Sequence, residues 1–439
     1  REISSPKSFV KPEIPNAKPE SLSDWLAYLE SLNPRAISLG LDRVLQVKNT
    51  LKLEPGFPII TVSGTNGKGS TCAFLEAILN IAGYRVGCYT SPHLLSYNER
   101  VRINRRPVDN AAFIRVFEKI EAARDGIPLT YFEYGTLAAM LLFIEAGLDV
   151  AILEVGLGGR LDAVNAFDAD CAAVISVDFD HMEYLGNTRE QIAFEKAGIF
   201  RTGKPAICAE ADIPETLTKH ATSIGARLIR INRDFGFIAE KNQWLYWGRS
   251  GKRHALPYPA LRGAYQLQNA SAALAALDEL KDRFPVGMGE IRRGLIEVDL
   301  PARFQVLPGR PAVILDVAHN PHAAAALSVN LANMGYYRNT FAVFGMLKGK
   351  DIAGVARVLK PQVNSWLIAS ISSERRGATA ADVAQELLRA GVPQPAISGF
   401  ANPGDAYDQA CELAAENDRI LVFGSFHTVA GVLRRRSGE

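Results

Sequence analysis

Phe57-Pro58-Ile59-Ile60-Thr61-Val62-Ser63-Gly64-Thr65-Asn66-Gly67-Lys68-Gly69-Ser70-Thr71 passes from a short β-rich run into a glycine-rich turn, and Ser70 to Ala82 then continues with helical periodicity until Gly83 closes it. Glycines in such a turn allow positive φ and let backbone approach a ligand closely. Consecutive N–H groups at a helix N-terminus attract phosphate, and a lysine in the turn adds a point charge. The stretch therefore reads as a strand, a phosphate loop and a helix, with Gly64, Thr65, Asn66, Gly67, Lys68, Gly69 and Ser70 as candidate nucleotide contacts. The spacing departs from G-x-x-x-x-G-K-[ST], because only two residues separate Gly64 from Gly67 and a glycine follows Lys68. A glycine-rich turn without a ligand is the bland alternative, and the flanking strand and helix weigh against it.

Working outward, Arg85 to Thr90, Asp149 to Val155 and Cys171 to Val177 read as further strands, and Asn110 to Arg124 and Tyr134 to Ala146 as helices. Upstream, Leu22 to Leu32 reads as a helix starting near Ser21, and Leu39 to Leu53 as a second. Alternating strands and helices imply a mostly parallel sheet covered on both faces. A second series follows late in the chain. Its strands are predicted at Ala312 to Asp316, Thr340 to Phe344, Ser365 to Ser370 and Ile420 to Gly424, and its helices at Pro321 to Met334, Ile352 to Leu359, Ala380 to Ala390 and Asp405 to Ala415. At 439 residues the chain exceeds what one core usually supports. The expected fold class is α/β: a phosphate-loop-containing, mostly parallel sheet domain over 1–299, then a smaller Rossmann-like α/β domain over 300–439, joined near Asp299 to Pro301.

Composition narrows the function classes. A net charge of +2 gives no general attraction to nucleic acid or anionic membrane, and no apolar run approaches the roughly 20 residues that span a bilayer. The start of the chain is polar and proline-rich (Ser5, Pro6, Lys7, Lys11, Pro12, Pro15), without a secretory apolar run, so a cytoplasmic monomer acting on small molecules is expected. The five cysteines, Cys72, Cys88, Cys171, Cys208 and Cys411, include no C-x-x-C pair and read as small core residues. The arginines at 434–436 read as a solvated tail.

Two acidic positions are informative. Glu154 ends an apolar strand at the edge where ligands bind in open parallel sheets and precedes a glycine-rich turn, Gly156 to Gly159. A lone acid there needs a partner, which a hard cation bridging nucleotide phosphates would provide. A buried ion pair is the alternative. Asp316 and His319 lie just past the strand beginning at Ala312, again at a ligand-binding edge.

The shortened loop Gly64-Thr65-Asn66-Gly67-Lys68-Gly69-Ser70 resembles that of the Mur-ligase superfamily, and in particular its folylpolyglutamate synthase branch. Similar segments recur in the family's order from about Ile37 to Val429. They are Thr90-Ser91-Pro92-His93-Leu94, Asn98-Glu99-Arg100-Val101-Arg102, Leu153 to Asn165, Asp180-His181, Glu195 to Ile199, Asp316 to Pro321 and Gly424 to Thr428. The resemblance implies an ATP-dependent ligase joining L-glutamate to dihydropteroate and to reduced folates through an acyl phosphate, with Mg²⁺, two ions expected. A glutamate ligase acting on folates alone would use the same residues. A peptidoglycan-precursor ligase and a nucleotide-gated binding module are more distant alternatives.

The resemblance also assigns residues. Lys68, His181, Lys196 and His319 are expected to carry the reaction, and Ser91, Glu154 and His181 to hold metal, joined by Lys196 if it is carbamylated. Lys196 follows Glu195 on a helix where the pair would occupy polar positions, so an ordinary surface lysine is the alternative. Asn269, Arg303 and Asp316 are expected at the nucleotide, and His319 and Ser425 at glutamate. Ile37, Leu39, Thr130, Phe132, Asp162 and Ala163 are expected at the pterin, with Thr130 to Thr136 as a loop carrying an aromatic wall. As pattern alone, Phe132 and Leu39 are core residues, and His322 and His427 carry weaker signals.

Overall fold

The computed structural model describes residues 19–33, 37–372 and 376–438. The proline-rich start, Ser5 to Pro15, lies outside them. Eight strands form the first sheet: β1 (Ile59–Ser63), β2 (Val86–Tyr89), β3 (Val101–Ile103), β4 (Arg106–Pro107), β5 (Val150–Glu154), β6 (Cys171–Val174), β7 (Pro205–Cys208) and β8 (Arg227–Arg230). Their order is β4-β3-β2-β5-β1-β6-β7-β8. The run from β2 to β8 is parallel, and β3 and β4 add an antiparallel edge.

This order places the strand-order reversal at β1, between β5 and β6. Val62 pairs with Glu154 on one side and with Ala173 on the other, so the loops leaving all three strands emerge together. Open parallel sheets bind ligands at that position. The helix Lys68–Ile81 behind the phosphate loop is buried all round, from Gly69 to Leu79. Such a helix needs packing on every face. The sheet supplies one face, and the helices Gln266–Glu279 and Met288–Glu297 supply the others. Gly294 permits the second contact, because a Cβ there would lie 2.4 Å from Ile78 Cγ1. The one charged residue on the buried helix face, Glu76, is matched by Arg102, whose Nη2 donates at 2.8 Å.

A three-stranded antiparallel sheet follows: β9 (Gly236–Ala239), β10 (Trp244–Gly248) and β11 (Gly251–Leu256). The last sheet comprises β12 (Gln305–Leu307), β13 (Ala312–Leu315), β14 (Thr340–Phe344), β15 (Ser365–Ala369), β16 (Ile397–Phe400) and β17 (Arg419–Phe423), in the order β12-β13-β17-β14-β15-β16. All its pairings are parallel except that of β12. Among the described residues no helix is long and apolar enough to cross a membrane.

Several expectations need correction. Thr130 to Thr136 is a helix start and not a loop: Thr130 caps Tyr131–Ala146, accepting from Glu133 N at 3.2 Å while Glu133 accepts from Thr130 N at 2.7 Å. This reciprocal box satisfies two terminal donors at once. The second helix is only Asp42–Thr50, leaving Leu39 and Gly40 outside it, with Gly40 at φ +135°. Lys196 is not on a polar face, since it is buried in the helix Arg189–Ala197. Cys411 is exposed, although the other four cysteines are buried.

Candidate active site

The phosphate loop is held from below by the chain leaving β6. Thr65 N donates to Ser176 O at 3.0 Å, Asn66 N to Ser176 Oγ at 2.9 Å, and Thr65 Oγ1 to Asp178 O at 3.0 Å. Gly67 caps the helix at φ +86°, and a Cβ there would also lie 2.5 Å from Asn269 Oδ1, so the position excludes side chains twice over. Lys68 folds back, its Nζ donating to Gly64 O at 2.9 Å. The lysine is thus parked over its own loop, where a phosphate oxygen would compete for it.

Beside the loop a cavity of about 140 Å³ collects Lys68, Ser91, Glu154, Asp180, His181, Lys196, Arg303 and His319. Glu154 is 4% exposed and accepts one hydrogen bond among the described residues, from Ser91 N at 3.1 Å. Burial raises its pKa, while Lys68, that N–H and Arg303 pull it back. No cationic side chain pairs with it directly among the described residues. Lys196 is 3% exposed, and no described acceptor bonds its Nζ. Burial pushes its pKa down to about 7, with Lys68 adding repulsion. A buried acid and a buried amine, both under-partnered and both facing one small cavity, form an unusual pair. His181, at φ +51°, is held near a pKa of about 4, chiefly by burial.

These donors suit a hard cation. Glu154, Ser91 and His181 offer one carboxylate, one hydroxyl and one imidazole, and among the described residues no side-chain cation pairs directly with the buried carboxylate. Among the described residues no group of three or more His, Cys, Asp or Glu is arranged as a metal cage. Magnesium-type sites need none, because water and phosphate oxygens complete them.

The last sheet reaches the same cavity with the loop after β13, and the loop after β14 brings Lys350 to Asp180 and His181. Asp316 is part-buried and accepts from Phe304 N at 2.9 Å and Ala318 N at 2.7 Å, which fixes the backbone just after Arg303 and just before His319. His319 donates Nδ1–H to Val317 O at 2.8 Å and turns Nε2 toward Asp180, 3.5 Å from Oδ2. Lys350 donates to Asp180 Oδ1 at 2.6 Å and approaches His181 Nε2 at 3.1 Å. Burial would raise the Asp180 pKa, yet His319, Lys350 and His181 outweigh it and hold the carboxyl well below its usual range. Asp180 therefore bridges the two sheets as a carboxylate.

A larger cavity of about 300 Å³ adjoins on the other side of the loop, lined by Asn66, Gly67, Ser70, Gln266, Asn269, Arg303, Asp316 and His319. Tyr265 and His322 stack across it with ring centres 5.2 Å apart, and His322 Nδ1 accepts from Asn66 Nδ2 at 2.8 Å. A third cavity, about 230 Å³, opens on the opposite flank and shares Ser91, Pro92, Gly156, Leu157 and His181 with the central one. Ile37, Leu39, Thr130, Phe132, Asp162 and Ala163 all line it. Phe132 lies flat over Gly156, where a Cβ would be 2.7 Å from its Cζ. Asp162 accepts from Leu157 N at 2.8 Å and Val164 N at 3.1 Å, and burial lifts its pKa to about 7.

Two expected residues are placed differently from the rest. Thr130 reaches the third cavity, but its hydroxyl is committed to the helix cap. Ser425 caps the helix Phe426–Ser437, its Oγ accepting from Thr428 N at 3.1 Å, and it lines none of these three cavities. Conversely, Asp180, Lys350, Tyr265 and Gln266 were not singled out as site residues. Asp180 carried a signal, adjoining His181, whereas Lys350 lies in a polar loop with no local mark.

The chain matches the Mur ligase middle domain over residues 62–277 and the Mur ligase glutamate ligase domain over 302–426. It is 45% identical to the dihydrofolate synthase/folylpolyglutamate synthase of Escherichia coli strain K12 over 422 residues, covering 95% of this chain and 97% of that one. Among solved structures, Escherichia coli FolC in complex with DHPP and ADP superposes with a TM-score of 0.90 at 44% identity, covering 95% and 98%. A bifunctional folylpolyglutamate synthase/dihydrofolate synthase with Mn, AMPPNP and L-glutamate bound gives 0.88 at 45%, with the same coverage. Fold and sequence together define an ATP-dependent, amide-forming ligase of the Mur type. Within that class, the chain belongs to the dihydrofolate synthase/folylpolyglutamate synthase family.

Proposed function

We propose that this chain ligates L-glutamate to dihydropteroate, forming dihydrofolate, and extends folates to folylpolyglutamates, consuming ATP and releasing ADP and phosphate. The observation that carries the reading is the continuity of the three cavities. A nucleotide-sized space and a flat, aromatic-walled space meet at a small polar centre containing Lys68, Glu154, His181 and Lys196. That is the arrangement needed to bring an acceptor carboxylate to a terminal phosphate. The relatives' complexes with ADP, AMPPNP, Mn, DHPP and L-glutamate support the same substrate set.

On this reading Gly64 to Ser70, Asn269, Arg303 and Asp316 hold ATP, and the acceptor's ring system lies against Phe132 with Asp162 at its polar edge. An oxygen of the acceptor carboxylate attacks the γ-phosphorus and ADP leaves, giving an acyl phosphate. Lys68 and the loop N–H groups stabilise the transferring charge. Glutamate's amine then attacks the acyl carbon, and phosphate departs from the tetrahedral intermediate. Ser91, Glu154 and His181 would hold a divalent cation, which supplies charge neutralisation at the phosphates. Lys196 suits carbamylation: its lowered pKa leaves much of the amine neutral near pH 7, and attack on CO₂ with loss of a proton would turn a cation beside the site into an anionic oxygen donor. His319 and Ser425 are assigned to the glutamate side. The functional division is 1–299 for nucleotide and pterin and 300–439 for glutamate. Supporting it, the first sheet ends before Arg303 and the last begins at Gln305.

The test is ADP release with Mg-ATP and L-glutamate, comparing dihydropteroate, tetrahydrofolate and no pterin, with mass spectrometry of the products. Glutamate-dependent release with both acceptors is expected. Turnover with tetrahydrofolate alone would leave only the polyglutamylating activity, and turnover with neither would refute the reading.

A further inference from the structure

The third cavity contains one positively charged side chain among its described lining residues, Arg100. Its surroundings hold it rigidly without neutralising it. The guanidinium carbon lies 5.3 Å from the ring centres of both Tyr97 and Tyr131, so aromatic faces flank it. Nε donates to His93 Nδ1 at 2.9 Å. Among the described residues no carboxylate pairs with it, and neither Nη has a hydrogen-bond acceptor. The result is a planar cation, oriented by one nitrogen and two rings, with its in-plane fork available. That is the geometry that recognises a carboxylate through two parallel N–H···O bonds.

This inference rests on the proposed function. The two acceptors differ in one respect that such a fork can sense. Dihydropteroate carries only the carboxylate that reacts. A folate presents its γ-carboxyl to the phosphate and carries an α-carboxylate a short three-carbon chain away, which must be accommodated near where the pterin cavity meets the centre. Arg303 is unsuited to that charge, because it lines the two nucleotide-side cavities and stacks on Phe426.

We infer that Arg100 is the subsite for the α-carboxylate of folate-type acceptors, and so the residue that admits the glutamylated acceptor to a pocket otherwise fitted to its unglutamylated form. The experiment compares three acceptors: dihydropteroate, tetrahydrofolate, and tetrahydropteroyl-γ-aminobutyrate, which keeps the reacting carboxyl and lacks the α-carboxylate. The wild-type enzyme should prefer tetrahydrofolate to the decarboxylated analogue by about tenfold or more in kcat/KM, the scale of one charge-assisted bidentate contact. Arg100→Gln should erase that preference and lower the tetrahydrofolate to dihydropteroate ratio of kcat/KM by a similar factor, mostly through KM. Arg100→Lys should restore it in part. A wild-type enzyme indifferent to the α-carboxylate overturns the inference without any variant, as does an Arg100→Gln enzyme that keeps the preference. Loss of glutamate-dependent ADP release from the wild type with every acceptor would instead sink the functional reading itself.

Discussion

Gly156 provides a direct test of whether Phe132 forms the wall of the acceptor cavity. A Cβ at this position would lie 2.7, 2.9 and 3.1 Å from three carbons of the Phe132 ring. Carbon atoms pack at about 3.5–4.0 Å, so the ring must retreat by about 0.8 Å or more. It cannot retreat freely, because Tyr89 stands behind it with ring centres 5.7 Å apart. Overpacking of this kind costs about 1–3 kcal/mol. Gly156 is not among the positive-φ residues, so alanine adds no backbone strain. If part of that cost falls on the pterin-bound state, KM for dihydropteroate should rise about tenfold, equivalent to about 1.4 kcal/mol. Affinity for Mg-ATP should change less, because Gly156 lies outside the nucleotide cavity of about 300 Å³ and lines only the central one and the acceptor cavity. Steady-state kinetics of Gly156→Ala measures the first, calorimetric titration with a non-hydrolysable ATP analogue the second. The double variant Gly156→Ala with Phe132→Leu should recover part of the loss by removing the clash. A Gly156→Ala enzyme with wild-type pterin KM would refute the stacking role of Phe132, and equal losses in pterin and nucleotide affinity would mean that the backbone carrying Glu154 had moved instead.

Other outcomes follow from the buried charges. Lys350→Met removes the cation closest to Asp180, both side chains being nearly buried at 9% and 12% exposure, and should lower stability by about 3 kcal/mol, the low end for a broken buried pair since His319 remains; denaturant unfolding showing under about 1 kcal/mol would reject this bridge between the sheets. Asp162 gives a pH dependence: its carboxyl is raised from 3.8 to about 7 by burial, so the stability it contributes is complete below about 3.8 and is lost as pH rises through about 7. Without ligand, Asp162→Asn should be less stable than wild type at low pH, and the gap should narrow by at most about 4 kcal/mol toward pH 8; a gap constant with pH would show that Asp162 titrates normally. For Lys196, ¹³C-bicarbonate should give a carbamate resonance that Lys196→Arg abolishes along with at least about a hundredfold of kcat, and a resonance persisting in the variant would place the carbamate elsewhere.

The sequence made the parallel core legible because its signals are local. Ile59 to Ser63, the glycine turn and the buried helix after it are contiguous, and Thr340–Phe344 and Ile352–Leu359 fall where periodicity puts them. What escaped were features set by distant partners. Lys196 follows Glu195 and reads with it as a polar pair, whereas its helix packs closely on Gly158 and Gly159; a Cβ at Gly159 would meet Glu195 O at 2.8 Å. Thr130 is a miss of another kind, since Thr130 and Glu133 form a local capping-box signal, to which Arg43 adds an ion pair with Glu133 at 2.8 Å. Lys350 and Asp180 lie 170 positions apart. Their pairing follows from docking one sheet's carboxyl edge against the other's, which no window of sequence contains.

That docking bears on how the proposed reaction would be controlled. Polar side-chain contacts join the two halves at the centre, Asn66 with Asn320 and His322 and Asp180 with His319 and Lys350, and they are accompanied by the Tyr265–His322 stack and by Leu94, which packs into a core cluster of the last sheet. Both sets flank the phosphate loop. An interface in which polar contacts predominate leaves the relative placement of the halves open to bias by whatever binds across them. A nucleotide seated on Gly64 to Ser70 and reaching Arg303 and Asp316 would touch both halves and favour the arrangement seen here. A large and wholly apolar seam would have fixed the halves whether or not substrate was present. A seam whose centre is held by hydrogen bonds and the nearly buried Asp180 carboxylate instead couples the assembly of the centre to the presence of its charged substrates, at the point where exclusion of water matters most.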